Sequence, residues 1–209
     1  MGISERKERE KEQRRNDIVD AAEMIFQEKG LRAATMDEVA EKAELSKGTL
    51  YLYFKSKEDL AFAISLRGIS ILTRLFQDAV ASDNNGKQKI RDIGYAYTRF
   101  FEEHPFYSQM IGHTSEMNTG EDLPFKLKCG QEGRKTFEIM IAALQQGMGD
   151  GSIRKDIDPV ATALLLSHFS YGMMFSIVNG RELIEEVMKV EIRQYVESGF
   201  DFMARALEP

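Results

Sequence analysis

The chain has 209 residues, of which 43% are hydrophobic, and its formal net charge is -6. This composition excludes a disordered or fibrous chain, and the length permits one large domain or two small ones around a real core. The single cysteine, Cys129, excludes an internal disulfide framework. The amino-terminal residues are charged and lack the apolar run of a secretory signal, so we predict a cytoplasmic protein.

The charge is unevenly distributed along the chain. Residues 1–57 hold 12 Lys and Arg and 12 Asp and Glu, so the acidic excess lies entirely in residues 58–209. Between residues 42 and 57 four lysines stand against Glu44 alone. An acidic chain argues against nucleic-acid binding when it is taken whole, but a local positive segment is compatible with it.

The first 57 residues predict three short helices. One apolar stripe marks the first helix: Ile18, Ala21, Ala22, Ile25 and Phe26. Gly30 is suited to end that helix, and Thr35 with Glu38 forms the capping box of a second one. Ser46 can cap a third helix, and Ser56 can cap a long fourth helix from about residue 57 to residue 81. This spacing predicts a helix-turn-helix unit.

The third helix has an unusual outer face. Helical periodicity directs Leu50 and Phe54 inward and Gly48 and Leu52 outward, with Tyr51 on the flank of that outer face. An outward Leu gains nothing in water, whereas in the major groove of DNA it can contact a thymine methyl group. Beside a glycine that permits close approach, this face is typical of a helix that reads bases.

We therefore predict a set of DNA-binding residues. Backbone amides at the start of the second helix are suited to a phosphate, and the third helix and its end supply side chains for bases and phosphates. The predicted contacts are Thr35, Met36, Lys47, Gly48, Thr49, Tyr51, Leu52, Tyr53 and Lys57. Taken alone, Tyr51 or Tyr53 would be more typical of the edge of a core. Residues 5–17, whose basic and acidic side chains alternate, fit a solvated helix and a phosphate-binding arm equally well.

These residues resemble a known family. The segment RRNDIVDAAEMIFQEKGLRAATMDEVAEKAELSKGTLYLYFKSKEDL is similar to the DNA-binding domain of TetR-type (TetR/AcrR) transcriptional regulators, above all in SKGTLYLYFKSKEDL. The similarity covers about the first 60 residues. It implies that Lys47, Gly48, Thr49, Tyr51, Tyr53 and Lys57 line the DNA, and that a homodimer reads a palindromic operator.

The rest of the chain reads as helix after helix without strand-like alternation. Asp158 followed by Pro159 marks a helix start, and residues 159–179 are apolar nearly all round, which predicts burial on several sides. The resemblance implies that the last two long helices form a four-helix dimer interface. A central helix of a monomeric bundle is the alternative, and a membrane span is less favoured because the segment contains polar residues such as His168 and Ser170.

The region between these parts predicts an effector site. The chain has 13 Phe, 7 Tyr and 11 Met, and such residues line adaptable apolar pockets. The candidates for the pocket wall are Tyr97, Phe100, Phe101, Phe106, Tyr107, Met110, Phe137, Met140, Ile141, Phe169 and Met173. Ordinary core packing is the better explanation for any one of them, and only the set taken together indicates an apolar or aromatic effector.

No constellation for catalysis or metal binding is recognisable. His104, His113 and His168 are scattered, Cys129 has no base near it in sequence, and acidic pairs such as Glu185 with Glu186 point to different helix faces. We predict that the chain is not an enzyme and has neither a cofactor nor a metal.

Together these features predict an all-α protein. Residues 1–57 form a helix-turn-helix DNA-binding domain, and residues 58–209 form a helical effector-binding and dimerisation domain. The predicted function is a sequence-specific repressor that leaves its operator when a small apolar or aromatic effector binds. Two alternatives stay open: an activator or non-induced DNA-binding protein of the same fold, and a helical scaffold that docks proteins.

Overall fold

A computed structural model describes residues 2–119 and 122–209, and within those ranges every regular element is helical, as predicted. The helices are α1 (Ile3–Ala33), α2 (Met36–Lys42), α3 (Lys47–Tyr53), α4 (Lys57–Val80), α5 (Gly86–Glu103), α6 (Pro105–Glu116), α7 (Pro124–Asp150), α8 (Pro159–Glu182) and α9 (Ile192–Ala206). A π-helical segment, Leu183–Val187, extends α8.

The chain divides into two compact units. Unit 1 comprises Met1–Ile69 and Phe106–Gln131, and unit 2 comprises Ser70–Pro105 and Glu132–Pro209. Helices α4 and α7 therefore each contribute residues to both units. These limits differ from the boundary at residue 57, which was placed where the helix-turn-helix pattern ends; that boundary between functional domains stays a prediction.

Unit 1 has a core built from α1–α4, α6 and the beginning of α7. The predicted stripe of α1 is buried, and residues that lie far from it in sequence complete the core: Leu60, Ile64, Met110, Leu123 and Phe125. Gly30 adopts a φ of 77° inside α1, a conformation that a residue with a Cβ rarely adopts. It therefore bends the end of α1 toward α2.

Hydrogen-bonded caps set the two short helices. The Thr35 hydroxyl accepts from the Glu38 amide at 3.3 Å, and the Glu38 carboxylate accepts from the Thr35 amide at 2.9 Å, which confirms the predicted capping box. The Ser46 hydroxyl accepts from the Thr49 amide at 3.1 Å. Because each cap fixes where its helix begins, the starts of α2 and α3 follow from local sequence.

Unit 2 packs α5, α7, α8 and α9 with part of α4 around an apolar core. Its largest buried side chains include Phe100, Leu144 and Ile153. Two helices approach at Gly86, where a Cβ would lie 2.1 Å from the backbone nitrogen of Gly147. Glycine at this position is therefore required by the close approach of α5 to α7.

Candidate nucleic-acid interface

The inner face of α3 anchors this helix in unit 1. Leu50 and Phe54 are completely buried, as the periodicity predicts. The Phe54 ring stacks on the Phe125 ring with centroids 5.2 Å apart and an interplanar angle of 25°. The position of α3 therefore depends on the beginning of α7 as well as on its neighbours in sequence.

The outer face of α3 carries exposed apolar surface next to polar groups. Leu52 is 83% exposed and Tyr51 is 45% exposed. A Cβ on Gly48 would meet only the Ser46 hydroxyl oxygen, at 3.9 Å, so the backbone there is open to a close approach. The Thr49 hydroxyl lies 2.8 Å from that of Ser46. We call Lys47, Gly48, Thr49, Tyr51 and Leu52 the recognition surface.

Lys47 and Lys57 differ in the partners that hold them. The Lys47 ammonium lies 2.7 Å from the Asp37 carboxylate, and this hydrogen bond raises the pKa of Lys47. Both side chains are exposed, so the pair can exchange for a phosphate. The Lys57 ammonium donates to the carbonyl oxygens of Arg32 and Ala34 at 3.0 and 2.9 Å. It therefore ties the start of α4 to the turn before α2, a role that the sequence did not indicate.

The remaining predicted contacts, Thr35, Met36 and Tyr53, differ from one another in exposure. The Met36 side chain is buried and is 9% exposed, so only its backbone amide is available to a phosphate. Thr35 is exposed at the cap of α2, and Tyr53 is half-buried against the core of unit 1. The structure thus separates the recognition surface from residues that position it.

A polar network that the sequence did not predict joins three helices of unit 1. The Arg67 guanidinium on α4 donates to Asp20 at 2.6 Å and to Glu23 at 3.0 Å, both on α1. The Tyr107 hydroxyl on α6 donates to the two Glu23 carboxylate oxygens at 3.1 and 3.2 Å. Burial and the nearby Glu23 charge raise the pKa of Tyr107. We call Asp20, Glu23, Arg67 and Tyr107 the α1–α4–α6 network.

A buried carboxylate also stabilises the position of α4. Asp59 is 1% exposed and accepts from the backbone amides of Lys55, at 3.2 Å, and Phe125, at 3.3 Å. The first bond closes the turn between α3 and α4, and the second holds the beginning of α7. Because a buried carboxylate without partners is costly, these bonds specify one arrangement of the three segments.

Comparison with known proteins identifies the helix-turn-helix. Residues 18–64 match the model of the bacterial regulatory proteins, tetR family. The HTH-type transcriptional repressor KstR2 of Mycolicibacterium smegmatis is 28% identical over 145 residues, which cover 69% of this chain and 70% of that protein. Residues 18–64 thus form a DNA-binding domain of the tetR family, and the chain as a whole is similar to transcriptional regulators that carry it. Proteins of this family bind DNA and small-molecule effectors and are dimers.

Two further similar proteins match different lengths of the chain. The HTH-type transcriptional activator FasR of M. smegmatis is 33% identical over 92 residues, which cover 44% of this chain and 42% of that protein. The solved structure of the regulator FadR from Bacillus subtilis in complex with stearoyl-CoA superposes with a TM-score of 0.69. It is 17% identical and covers 92% of this chain and 98% of the FadR chain, so the likeness extends the shared fold through α9.

The predicted effector residues of this regulator are divided between the two units. Phe106, Tyr107 and Met110 belong to unit 1. The other eight belong to unit 2, where Tyr97 stacks obliquely on Phe76 and Phe101, and Phe100 and Met140 are buried. These contacts are those of an apolar core, and the assignment of a pocket wall stays a prediction.

An open cavity of about 720 Å³ lies between α8 and α9. Of the predicted pocket residues, Phe169 and Met173 line it. Its other lining residues are Leu165, His168, Gly172, Ser176, Tyr195, Ser198, Gly199, Phe202 and Met203. A volume of this size suits a small apolar ligand, and so does the mixture of apolar walls with a few polar groups.

The outer face of α8 and α9 is apolar and exposed. Leu165 is 58% exposed, Phe169 55% and Phe202 67%, and other large apolar side chains of α8 are similarly exposed. The helix Pro159–Val187 is long and apolar enough to cross a membrane by length and composition, and 17% of its most apolar window is buried. One side of α8 is uncovered in a single chain, which disfavours the alternative of a central helix in a monomeric bundle; burial of this side by a second chain stays a prediction.

Metal-ligand chemistry is sparse in the part of the chain that the structure describes. Within residues 2–119 and 122–209, no three His, Cys, Asp or Glu side chains are grouped so that they could hold a metal ion. Cys129 donates its S–H to the Phe62 carbonyl oxygen at 3.1 Å, and burial raises the pKa of this thiol to about 12. The thiol is thus protonated at neutral pH and poorly nucleophilic.

Proposed function

We propose that this regulator is a repressor whose recognition surface enters the major groove of a palindromic operator. The observation that carries this proposal is the exposure of Leu52 and Tyr51 beside the open backbone of Gly48. Exposed apolar area of this kind is unfavourable in water, but against DNA it is suited to thymine methyl groups, while Thr49 and Lys47 supply donors. The name of KstR2, a repressor, supports the direction of regulation.

The proposed DNA contacts follow the predicted set with the roles that the geometry supports. Lys47, Gly48, Thr49, Tyr51 and Leu52 would meet bases and phosphates, whereas Thr35 and Met36 would offer backbone amides at the start of α2. Tyr53 and the remaining proton of the Lys57 ammonium would reach the sugar-phosphate backbone.

A homodimer through α8 and α9 would supply the second half-site. The exposed apolar face of these helices supports this assembly, because a patch rimmed by polar residues is typical of an obligate interface. A two-fold axis through this face would relate two recognition surfaces, as a palindromic site requires. We place this soluble assembly in the cytoplasm, where it has access to DNA.

The proposed effector is a small apolar or aromatic molecule. The apolar residues of unit 2 support it, and the solved FadR complex contains stearoyl-CoA, which carries a long acyl chain. Binding would tilt α4 and change the distance between the two recognition surfaces. A coupling free energy of about 1–3 kcal/mol would release the operator about 5–150-fold.

The decisive experiment selects genomic DNA fragments with the purified dimer and then measures their affinity at two salt concentrations. We expect Thr49→Ala and Tyr51→Ala each to weaken specific binding by about 5–150-fold, the value of a good base contact. Tyr95→Ala is the matched control, because Tyr95 is 42% exposed but lies on α5. Equal losses in all three variants, or no retained fragment, would contradict the proposal.

An activator with the same DNA contacts is the second candidate, and the name of FasR favours it. A reporter gene downstream of the selected fragment distinguishes the two. Deleting a repressor raises expression, whereas deleting an activator lowers it. Thermal unfolding with acyl and aromatic compounds tests the effector, because a ligand that binds the folded state raises the melting temperature by mass action.

A further inference from the structure

The amino-terminal part of α1 forms a charged helical extension. α1 begins at Ile3, but its first buried residue is Ile18, and the residues from 4 to 14 are all exposed. These residues span about 16 Å of helix at about 1.5 Å per residue. A helix that extends this far without an apolar partner gains little from tertiary packing. Its exposed charged side chains are therefore available to another molecule.

The extension separates its charges by face. At about 100° per residue, Lys7, Lys11 and Arg14 fall within an arc of about 60°. Glu5, Glu8 and Glu12 fall within a second arc whose centre is about 120° away. We call Lys7, Lys11 and Arg14 the basic face. The mixed composition of this segment therefore conceals a basic face, which is bordered about 40° from Arg14 by Glu10, a residue paired with Arg6.

The basic face has no acidic partner in the part of the chain that the structure describes. Lys7, Lys11 and Arg14 make no salt bridge with residues 2–119 or 122–209, whereas Arg6 pairs with Glu10 at 2.8 Å and Arg15 pairs with Glu12. Two lysines four residues apart on a helix repel each other. An anion bound to this face would relieve that repulsion.

Contacts within unit 1 place the base of the extension near the recognition helix. The Arg15 guanidinium lies over the Phe125 ring, 6.0 Å from its centroid. The Phe125 ring stacks on Phe54, the residue that caps the end of α3. The basic face lies in the same angular sector of α1 as Ile18 and Ile25, through which α1 packs in unit 1. The extension thus begins beside the end of α3. Its basic face points to the same side of α1 as the residues that pack in the core of unit 1.

We propose that the basic face of α1 binds phosphates of the DNA that flanks each half-site. The proposal rests on the proposed function, because the recognition surface must first seat α3 in the major groove. An extension of about 16 Å corresponds to about five base pairs at 3.4 Å each. The bound partner is the sugar-phosphate backbone, so the contact adds affinity and salt dependence without adding sequence information.

The test compares two double variants of the full chain that have equal net charge. Lys7→Gln with Lys11→Gln removes two charges from the basic face, and Arg6→Gln with Arg9→Gln removes two charges from other faces of the same helix. Each protein is titrated with the shortest genomic duplex that the wild-type dimer retains. It is then titrated with the same duplex extended by about 10 base pairs, one helical turn, on each side.

We expect the wild-type dimer and the Arg6/Arg9 variant to bind the extended duplex more tightly than the short one. The Lys7/Lys11 variant, which keeps only Arg14 on the basic face, should lose most of this difference between the two duplexes. It should also lower the slope of log affinity against log salt by about 3–4, because a dimer loses four phosphate contacts. Between about 50 and 200 mM salt the wild-type protein would then lose about 100-fold more affinity than this variant.

Three results would overturn the proposal, and they are distinguishable from failure of the DNA-binding function. If the Lys7/Lys11 variant retains the flank dependence, or if both double variants lose it equally, the basic face is not the contact. Wild-type protein that binds the two duplexes equally, but needs Tyr51, also excludes the flanking contact while preserving the proposed function. Protein that retains no duplex at all removes both. Helix content by circular dichroism confirms that each variant is folded.

Discussion

Units 1 and 2 each combine an apolar core with hydrogen bonds between distant segments, but they differ in where those bonds lie. In unit 1, these bonds join α1, α4, α6 and α7, the helices that share a core with α3: the α1–α4–α6 network, the Asp59 carboxylate, and the Ser65 and Thr114 hydroxyls, which lie 2.9 Å apart. In unit 2, the Gly86 and Lys87 amides donate to Asp150 and Ser152 at the start of α5, and a Cβ on Gly94 would lie 2.7 Å from the Phe200 ring. Directional bonds fix orientation, whereas apolar packing is largely non-directional. The comparison indicates that unit 1 is built to orient one helix.

The exposed apolar surfaces of the two units also differ, in the polar and charged groups that surround them. On α3, Leu52 and Tyr51 stand among a hydroxyl and a lysine, which suits the mixed polarity of a DNA groove. On α8 and α9, the exposed Leu165, Phe169 and Phe202 form a surface poor in charge, which suits another apolar protein surface. The same kind of residue, exposed on different backgrounds, therefore indicates different partners.

A charge on the apolar face of unit 2 tests most directly whether this face binds another protein surface, and it has the largest expected effect. Leu165→Glu should abolish the dimer at micromolar concentration, because an unpaired carboxylate buried in an interface costs about 3–5 kcal/mol. This corresponds to association weaker by at least about 100-fold. Sedimentation velocity over a range of protein concentrations measures the change.

Leu127→Glu is the matched control for that experiment. Leu127 and Leu165 are each 58% exposed, but Leu127 lies on α7 within unit 1. The control should remain dimeric and retain DNA. If both variants dissociate, or if Leu165→Glu remains a dimer, the interface lies elsewhere.

The directional character of unit 1 is tested at Tyr107. Tyr107→Phe removes the hydroxyl that donates to Glu23, and we expect the free energy of unfolding to fall by about 1 kcal/mol. That value is lower than for a buried charged bond because both partners are only partly buried. Urea unfolding at fixed dimer concentration provides the measurement.

Tyr95→Phe is the control for that substitution. The Tyr95 hydroxyl contacts the exposed Arg91 side chain at 3.3 and 3.4 Å, so its removal should cost less than about 0.5 kcal/mol. Equal effects in the two variants would show that the network does not stabilise unit 1 beyond an ordinary surface contact.

The smallest expected effect is a pH dependence at the capping box. The hydrogen bond from Lys29, and then those from Thr35, lower the pKa of Glu38 from 4.5 to about 2. The folded-state pKa lies below the unfolded one, so the ionised carboxylate stabilises the fold above pH 4.5. This stabilisation is lost as the pH falls toward 2.

Glu38→Gln exposes this dependence because it keeps a cap acceptor and removes the charge. We expect a small decrease in melting temperature at neutral pH that disappears as the pH falls through the interval between 4.5 and 2. Glu41→Gln on the same helix should show no such interval. A difference between wild type and Glu38→Gln that grows toward acid would contradict the assignment.

Much of the helix-turn-helix could be predicted because its determinants are local. The Thr35 and Ser46 caps, the turn at Gly30, and the inward and outward faces of α3 all depend on residues within one or two turns of each other. The α1–α4–α6 network could not be predicted. Tyr107 and Glu23 are 84 residues apart, and Arg67 and Asp20 are 47 apart, so periodicity does not relate them.

The predicted effector site was harder to assign from sequence, for a different physical reason. Aromatic and methionine side chains that line a cavity have the same sequence pattern as those that fill a core, and Tyr97 and Phe101 pack against each other. α8 shows a related ambiguity, because an apolar helix can be covered by its own chain or by another. Sequence indicates that such surfaces must be covered, but it does not say by which molecule.

The interrupted course of unit 1 along the chain has a practical consequence for chimaeric regulators. A fragment that ends at residue 57 leaves behind Leu60, Phe62, Leu123 and Phe125, all of which belong to the same core as α1 and α3. Grafting only residues 1–57 onto a foreign effector-binding domain would therefore remove core residues that hold α3 and its recognition surface in place. A transplant that keeps operator specificity must carry residues 106–131 along with the amino-terminal segment, or rebuild their contacts from the recipient.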